Sequence, residues 1–298
     1  MSKKFKRTIA LICAVCLAAA VMCTFALAQG GTGANADAAY VNVPIYVDGL
    51  LACRGYMVKD TTYVTLESVC NAVDQSADVE WTEPAQTDAA KTDGTVGQQS
   101  ASVTANVAGI TVTYTAGAEY MQANGRYLYL PGGSRQIDGN QLFPVRALAK
   151  IFGLEVGWNS EKHAVDLSAE NMKVLESGDT FYNADDVELM AHIIFAEAGN
   201  QPLTGMIGVG AVIMNRVASD RFPDTIKEVV YAPGQFDPVR NGSINLTPTD
   251  MAYAAAHLAL EGCNTVGASL FFRNPGSSTG YLSDPTFLIK IQDHCFFA

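Results

Sequence analysis

The hydrophobic pattern of this chain changes once, across the polar segment of residues 169–180. Before that segment, short apolar stretches alternate with turn sequences, a pattern typical of strands joined by tight turns. After it, apolar residues recur at helical spacing between capping residues and glycines. We therefore expect two domains, at residues 40–168 and 181–298, joined by residues 169–180 as a linker. Both halves mix helices with strands, so the expected fold class is α+β.

The first half contains a degenerate internal repeat. Each copy begins with a turn and a strand-like segment and continues with a helical run. It then finishes with a strand that carries a tryptophan, Trp81 in the first copy and Trp158 in the second. Residues 83–102, between the copies, hold almost no large apolar side chain, so they cannot bury a core and are expected to form a flexible insertion.

This repeat resembles the copper amine oxidase N-terminal domain, a small module reused as a stalk or wall-facing domain in many envelope proteins. The resemblance covers residues 40–168 and implies a small α+β domain. Its name does not imply copper, because His163 is the only histidine in this half and no ligand cluster surrounds it. A passive spacer and a glycan-binding module are both compatible with the sequence.

The second half is predicted to form four helices and a terminal β-hairpin. Asn183 is placed to cap the first helix, and Gly199 to end it. Gly205, Gly208 and Gly210 lie in the second helix, where they would let a neighbouring backbone approach closely. The expected elements are helices at Ala184–Ala198, at Leu203–Val217, after Pro223, and from Thr247 as the cap to Gly262, then strands at residues 268–273 and 287–297.

Glu197 occupies an unusual position in the first of these helices. Residues three, four and seven apart lie on one helix face, so Glu197 shares a face with Met190, Ile193 and Ile194. A carboxylate in an apolar stripe contradicts the local pattern, and such conflicts concentrate at functional sites. Burial and the negative end of the helix both disfavour the anion, so we expect a raised pKa, which suits a general acid near neutral pH. The alternative is a carboxylate that reaches past the core into water.

Several segments of the second half carry a family resemblance. They are FAEA at 195–198, GVGAVIMNRV at 208–217, FPDTI at 222–226, PGQF at 233–236, LFFRNP at 270–275 and HCF at 294–296. In this order they are similar to the cell-wall hydrolase family typified by spore cortex-lytic enzymes, over residues 185–298. The resemblance implies a lysozyme-like, lytic-transglycosylase-like fold with Glu197 as the catalytic residue. It also implies that peptidoglycan is cleaved between N-acetylmuramic acid and N-acetylglucosamine, with closure of a 1,6-anhydro ring.

Other residues of this half are candidates for substrate binding. On the loop after Pro233, an amide is suited to hold an N-acetyl group, and an aromatic face is suited to stack on a sugar. The candidates are Gln235, Phe236, Tyr231, Phe272 and Asn274. Core packing of a strand is the alternative for Phe272, and a turn is the alternative for Asn274. The loop at residues 276–284 lacks the tryptophans expected in spore-cortex relatives, so cortex and vegetative wall both stay open as substrates.

Three alternative functions stay open as well. A muramidase that hydrolyses the same bond would usually need a second carboxylate; Asp237 is the candidate, although it also fits a turn before Pro238. An N-acetylmuramoyl-L-alanine amidase would need zinc, yet His192, His257 and His294 show no HExxH or other ligand spacing. We therefore expect no metal site and no cofactor. The last alternative is a non-catalytic wall-binding protein.

The N-terminal residues predict export. A basic head precedes an uncharged apolar run that ends at Ala26-Leu27-Ala28, which fits signal peptidase cleavage. Residues 1–28 are thus expected to be a signal peptide, with a retained membrane anchor as the alternative. The formal net charge is −11 and the sequence holds no basic stripe, which argues against nucleic acid as a partner. We expect a secreted protein of the cell envelope, at the cell wall or spore cortex, with no membrane segment after cleavage.

Four of the seven cysteines remain after cleavage. They are Cys53, Cys70, Cys263 and Cys295. An even number in an oxidising compartment permits disulfides, and the simplest pairing is 53–70 with 263–295. Free thiols are the alternative.

Overall fold

The computed structural model describes residues 40–82 and 100–298. The predicted signal peptide at residues 1–28 lies outside the described residues, as does nearly all of the predicted insertion at residues 83–102. Ser102, the last residue assigned to that insertion, begins a β-strand and pairs with Thr115, so the predicted insertion is too long at this end. Within the described residues, no helix is both long enough and apolar enough to span a bilayer.

Within residues 40–82 and 100–168, the first half folds into two β-sheets and two helices with a continuous hydrophobic core. Its elements are β1 (Val41–Val47), β2 (Leu50–Val58), β3 (Thr61–Thr65), α1 (Leu66–Val73), β4 (Asp78–Thr82), β5 (Ser102–Val107), β6 (Ile110–Thr115), β7 (Tyr120–Ala123), β8 (Arg126–Tyr129), β9 (Arg135–Ile137), β10 (Asn140–Pro144), α2 (Val145–Phe152), β11 (Glu155–Asn159) and β12 (Ala164–Ser168). The strand orders are β11-β12-β1-β2-β3-β10-β9 and β4-β5-β6-β7-β8. β1 and β12 run parallel.

The two predicted repeat copies have the same local structure. Strand β3 leads into α1 and then β4, and strand β10 leads into α2 and then β11. β3 and β10 are antiparallel neighbours, whereas β4 and β11 belong to different sheets. Trp81 and Trp158 keep equivalent places, with 47% and 48% of their surface exposed. The copies therefore agree in secondary structure and diverge in the sheet that each one completes.

The second half is mainly helical and ends in a small sheet. Its elements are α3 (Gly178–Phe181), α4 (Ala184–Ala198), α5 (Leu203–Val217), α6 (Ile226–Tyr231), α7 (Asp237–Asn241), α8 (Asp250–Leu260), β13 (Phe271–Arg273), β14 (Phe287–Ile291) and β15 (His294–Phe297). The predicted bounds of α4 and α5 are confirmed. The Asn183 side chain accepts hydrogen bonds from the first-turn amides of α4, as predicted.

Three predicted boundaries in this half are wrong. The strand predicted at residues 268–273 begins only at Phe271. Thr249, not Thr247, caps α8: its side chain accepts a hydrogen bond from the Ala252 amide. The predicted strand at 287–297 folds back on itself as the hairpin β14–β15, with Gln292 at a positive φ of 45° in the turn. β15 is the central strand of the sheet and pairs with β13 on one edge and with β14 on the other. The short helices α3 and α7 are not predicted by the sequence pattern.

The segment predicted as a linker, residues 169–180, is packed against the first half. The Leu175 amide donates to the Ile151 carbonyl at 2.8 Å, and the Gly178 amide donates to the Asn124 carbonyl at 2.8 Å. Met172 and Val174 pack on the core of the first half. The connection between the halves is therefore held by backbone hydrogen bonds and apolar contacts.

The predicted disulfides are not formed. Cys53, Cys70, Cys263 and Cys295 are all free thiols in the described part of the chain. Burial raises the pKa of Cys70 to about 12 and that of Cys263 to about 11. Each thiol is used as a small packing group, which is the common role of a buried cysteine.

Close packing of α4, α5 and α8 forms the core of the second half. Gly210 of α5 makes it possible: a Cβ atom at this position would lie 2.7 Å from Ala259 Cβ and 3.1 Å from Ile194 Cδ1. Gly208 serves in the same way, since a Cβ there would lie 2.9 Å from the Phe296 ring. The α5 glycines thus permit close packing, as predicted, but the atoms that meet them belong to side chains and not to a neighbouring backbone.

We expect Gly210→Ala to destabilise the protein. The added methyl group has no room beside Ala259, so helices must separate or side chains must leave their rotamers, at a cost of about 1–3 kcal/mol. Urea denaturation measures the difference. Gly280→Ala is the matched control, because its methyl would meet only Ser278 Oγ, at 3.5 Å. Equal stability of the two variants would contradict the packing described here.

Glu261, directly after α8, joins the two halves. Its side chain is 3% exposed and accepts hydrogen bonds from Arg126 Nε at 2.5 Å and Arg126 Nη2 at 2.8 Å. It also accepts from the Tyr182 hydroxyl at 2.7 Å and from Lys150 Nζ at 3.3 Å. Beside it, the Tyr127 ring stacks on His257 with centroids 4.4 Å apart. The first half thus supplies the positive charges of Arg126 and Lys150, and the second half supplies the negative charge of Glu261 that pairs with them.

Glu261→Gln should weaken this junction. Burial by itself would raise the pKa of Glu261, but the hydrogen bonds from Arg126 and Tyr182 outweigh it and the pKa is lowered. The stabilisation is then complete above the ordinary pKa of a glutamate and is lost as the pH falls. At pH 7 the variant leaves Arg126 without its counter-charge, and we expect a loss of roughly 3 kcal/mol in chemical denaturation.

The exposed Glu170→Gln is the control for this change and should be neutral. The difference in the free energy of unfolding between wild type and Glu261→Gln should become smaller as the pH is lowered towards 3. A gap that stays constant with pH would show that ionisation of Glu261 does not stabilise the junction.

Candidate functional site

Glu197 lies in the last turn of α4, on the face that the sequence predicts. Met190, Ile193 and Ile194 of that face are fully buried, while Glu197 itself is partly buried. Among the described residues, no donor lies within hydrogen-bond distance of its carboxyl group. The side chain therefore sits at the edge of the core, without the partners that a structural carboxylate usually has.

The electrostatic environment of Glu197 disfavours its anion. Burial raises the pKa of Glu197 to about 7, and the negative charge of Asp237 acts in the same direction. The positive charge of Arg216 opposes them. The predicted rise in the pKa is confirmed, and its causes are burial first and a neighbouring carboxylate second. At neutral pH, both the acid and the base form of Glu197 are populated.

Arg216, in the last turn of α5, is a residue of this site that the sequence analysis did not single out. Only 4% of its surface is exposed, and its Nε donates to the Leu270 carbonyl at 2.8 Å. The available signal is an arginine at the end of a helix that is otherwise apolar and glycine-rich. Sequence alone does not distinguish such an arginine from one that extends into water.

The end of α6 and the loop that leads to α7 carry three of the predicted binding residues. Tyr231 is 49% exposed, whereas Phe236 is only 4% exposed; Gln235 is exposed. The Phe236 ring packs near Phe272, with centroids 6.4 Å apart, and near the guanidinium of Arg216. The prediction that Phe236 offers a face for sugar stacking is therefore not supported by this conformation, because so little of the ring is exposed.

The remaining predicted residues lie on and after β13. Phe272 is half-buried between Phe236 and Phe296, which agrees with the core-packing alternative. The Asn274 side chain accepts a hydrogen bond from the Gly276 amide at 2.8 Å, which agrees with the turn alternative. The structure thus brings Phe236, Phe272 and Arg216 together, and no described contact links Asn274 to them.

Asp237 begins α7 and forms an exposed ion pair. Its carboxylate accepts a hydrogen bond from Arg240 Nη2 at 2.8 Å, and its side chain is 78% exposed. α7 packs against α4, which explains why the charge of Asp237 reaches Glu197. The two carboxyl groups differ sharply in their surroundings, since one is desolvated and the other is hydrated and paired.

The histidines of this half are engaged in structure. The ring of His192 is within hydrogen-bond distance of the Ile244 carbonyl and Glu188. Burial lowers the pKa of His257 and of His294. Within residues 40–82 and 100–298, no cluster of His, Cys, Asp or Glu has the geometry to hold a metal ion.

Comparison with known proteins divides the chain as the hydrophobic pattern does. Residues 200–297 match the family described as Cell Wall Hydrolase, and residues 51–167 match the Copper amine oxidase N-terminal domain. The C-terminal segment belongs to the Cell Wall Hydrolase family. The match to this family begins just after Glu197, so it does not include the candidate acid, whose assignment depends on the geometry described above.

The relatives of this domain include spore cortex-lytic enzymes and another cell wall hydrolase. The spore cortex-lytic enzyme of Bacillus cereus is 38% identical over 116 residues, which cover 39% of this chain and 45% of that protein. The cell wall hydrolase CwlJ of Bacillus subtilis is 29% identical over 119 residues, covering 38% of this chain and 84% of that protein. The chain spans less than half the length of the spore cortex-lytic enzymes that it matches, from 32% to 45%.

Solved structures also match the cell wall hydrolase domain. The catalytic domain of the Bacillus cereus SleB protein is 35% identical, and the match covers 39% of this chain and 92% of that domain with a TM-score of 0.36. The catalytic domain of a germination-specific lytic transglycosylase, SleB of Bacillus anthracis, is 33% identical, covering 42% of this chain and all of that domain with a TM-score of 0.36.

Glu197→Gln should stabilise the protein at alkaline pH. Because the pKa of the folded state, about 7, lies above that of an unfolded glutamate, ionisation between these values costs folding free energy. We expect the variant and the wild type to be equally stable near pH 4. At pH 8 the variant should be more stable by on the order of 1–3 kcal/mol. Denaturation at both pH values, with Glu170→Gln as the exposed control, measures this; a pH-independent difference would contradict the buried, unpartnered carboxyl.

Proposed function

We propose that this protein cleaves peptidoglycan glycan strands between N-acetylmuramic acid and N-acetylglucosamine, as a lytic transglycosylase with Glu197 as its acid and base. The observation that carries the proposal is the Glu197 carboxyl itself. It is desolvated, lacks any hydrogen-bond partner among the described residues, and has a pKa of about 7. A carboxyl group with these properties can donate a proton to a leaving oxygen and remove one later in the same cycle.

The reaction balances with a single carboxyl group. Glu197 donates its proton to the glycosidic oxygen as the bond from that oxygen to C1 of the muramic acid breaks. The 6-hydroxyl oxygen of the same sugar then bonds to C1, and its proton passes to the Glu197 carboxylate. The products are a new N-acetylglucosamine hydroxyl end and a 1,6-anhydromuramic end, and Glu197 is again protonated. No water is consumed.

The surroundings of Asp237 bear on the alternative, hydrolysis by a two-carboxylate muramidase. Its charge acts on Glu197, so it is the described carboxylate that such a mechanism would use. However, it is exposed and paired with Arg240, which is poor preparation for binding a nucleophilic water or a sugar cation. These contacts favour the single-acid mechanism.

The family and the relatives support the proposed substrate and place of action. Members described as cell wall hydrolases and spore cortex-lytic enzymes make peptidoglycan the expected partner, in the cell wall or the spore cortex. The signal peptide expected at residues 1–28 fits export to that location. The proposed chemistry needs no metal or cofactor. Tyr231, exposed at the end of α6, and Gln235, exposed on the loop before α7, are the predicted binding residues best placed to contact a glycan.

Mass spectrometry of digested peptidoglycan tests this function. Purified residues 29–298 should release fragments with non-reducing anhydromuramic ends, lighter by one water than hydrolysed ends. Glu197→Gln should fold and lose activity by at least 10²-fold, because general acid–base catalysis is removed. Asp237→Asn is the matched control and should retain most of its activity. Reducing muramic ends together with an inactive Asp237→Asn would establish hydrolysis instead.

A further inference from the structure

Arg216 is a buried charge without a bonded carboxylate. Charged side chains are almost never fully buried unless they are paired, yet no Asp or Glu oxygen among the described residues lies within salt-bridge distance of its guanidinium. Its Nε donates to the Leu270 carbonyl, while Nη1 is buried and has no hydrogen-bond partner in the described part of the chain. An unsatisfied buried donor costs about 1–3 kcal/mol, so its presence here calls for an explanation.

Three phenylalanine rings surround this guanidinium. Its central carbon lies 5.0 Å from the ring centroid of Phe236, 5.1 Å from that of Phe222 and 5.6 Å from that of Phe271. Cations within about 6 Å of aromatic faces are attracted by the ring quadrupoles, more strongly where water is excluded. The rings hold the guanidinium in place and shield it from solvent. Because they carry no net charge, they do not neutralise it as a carboxylate would.

The field of Arg216 acts on Glu197. The two residues lie in the last turns of the adjacent helices α4 and α5, and each favours the charged form of the other. Asp237 on α7 is the opposing charge. The elements packed against α4 carry other titratable groups, Lys227 and Glu228 on α6, Arg240 on α7, and Asp250 and His257 on α8. Of these, Arg240 is paired with Asp237.

We propose that Arg216 is a positioning residue of this site, a caged cation that stabilises the Glu197 carboxylate after proton donation and so sets the pH range in which Glu197 works. The inference depends on the proposed function only for its consequence for turnover. The electrostatic claim concerns the ionisation of Glu197 and holds whatever the substrate is. Without the cation, burial and Asp237 would act on Glu197 unopposed, and the acid would be too weak to release its proton near neutral pH.

The test is a direct titration of Glu197 in residues 29–298. Protein labelled with ¹³C at the glutamate carboxyl carbons is titrated by NMR, and Glu197→Gln identifies the Glu197 signal. Arg216→Met, which has no charge and a similar stem, should move the midpoint upward by about one pH unit or more. Arg216→Lys keeps a charge but cannot keep the same contacts with Leu270 and the rings, so it should move the midpoint upward by less.

Each outcome decides the proposal. A folded Arg216→Met protein with an unchanged midpoint would overturn it, because a purely structural arginine alters stability and not the ionisation of Glu197. If Arg216→Met does not fold, Arg216→Gln decides, because it also removes the charge, and an unchanged midpoint in that variant has the same meaning. If the wild type cleaves peptidoglycan, the pH–rate profile of Arg216→Met should differ from it in the same direction as the NMR midpoint. Its alkaline limb should lie at higher pH, with a lower maximal rate and a similar KM.

The two proposals fail separately. If the midpoints shift as expected but the wild type releases no muropeptides, the proposed function is wrong and the role of Arg216 in the ionisation of Glu197 stands. If muropeptides are released but the midpoints do not shift, the function stands and Arg216 has no such role.

Discussion

The close approach of α4, α5 and α8 is the constraint on which the second half of the molecule depends. Gly210 lets Ala259 and Ile194 come within a distance that a side chain would forbid, and the buried face of α4 is fixed by this contact. Because Glu197 shares that face, the same packing that forms the core also desolvates the carboxyl group. The stability of this domain and the acid strength of Glu197 thus have a common physical origin. The apolar face of α4 cannot be buried without also burying part of Glu197, which is the last residue of that face.

Two glutamates at helix ends show how the surroundings decide what a carboxyl group does. Glu261 is buried and accepts hydrogen bonds from Arg126, Tyr182 and Lys150, so it stays ionised and joins the halves of the chain. Glu197 is partly buried, receives no described hydrogen bond, and has a raised pKa. The difference is the number of donors and not the depth of burial. A carboxylate that is satisfied contributes to structure, and one that is left unsatisfied keeps its capacity for proton transfer.

The first half of the chain is fixed to the helical half by packing as well as by charge. Besides the Glu261 contacts, Tyr127 stacks on His257, and the connecting segment 169–180 is held to the first half by backbone hydrogen bonds and apolar contacts. This arrangement limits the freedom of the repeat domain relative to the helices. Trp81 and Trp158 stay exposed on the repeat domain. If that domain binds glycan and is not only a spacer, these two rings are accessible for the contact.

The sequence by itself determined the features that a short window of residues encodes. The bounds of α4 and α5, the cap at Asn183, the shared face of Met190 and Glu197, and the direction of the Glu197 pKa shift all follow from helical periodicity and burial. Only the tertiary structure decided the features that depend on which distant segments meet. Arg216 is caged by rings from three other segments, Phe236 is buried, and the four cysteines remain free. The physical reason is that periodicity specifies which face of an element is apolar, whereas partners for charges, rings and thiols are set by packing between elements far apart in the chain.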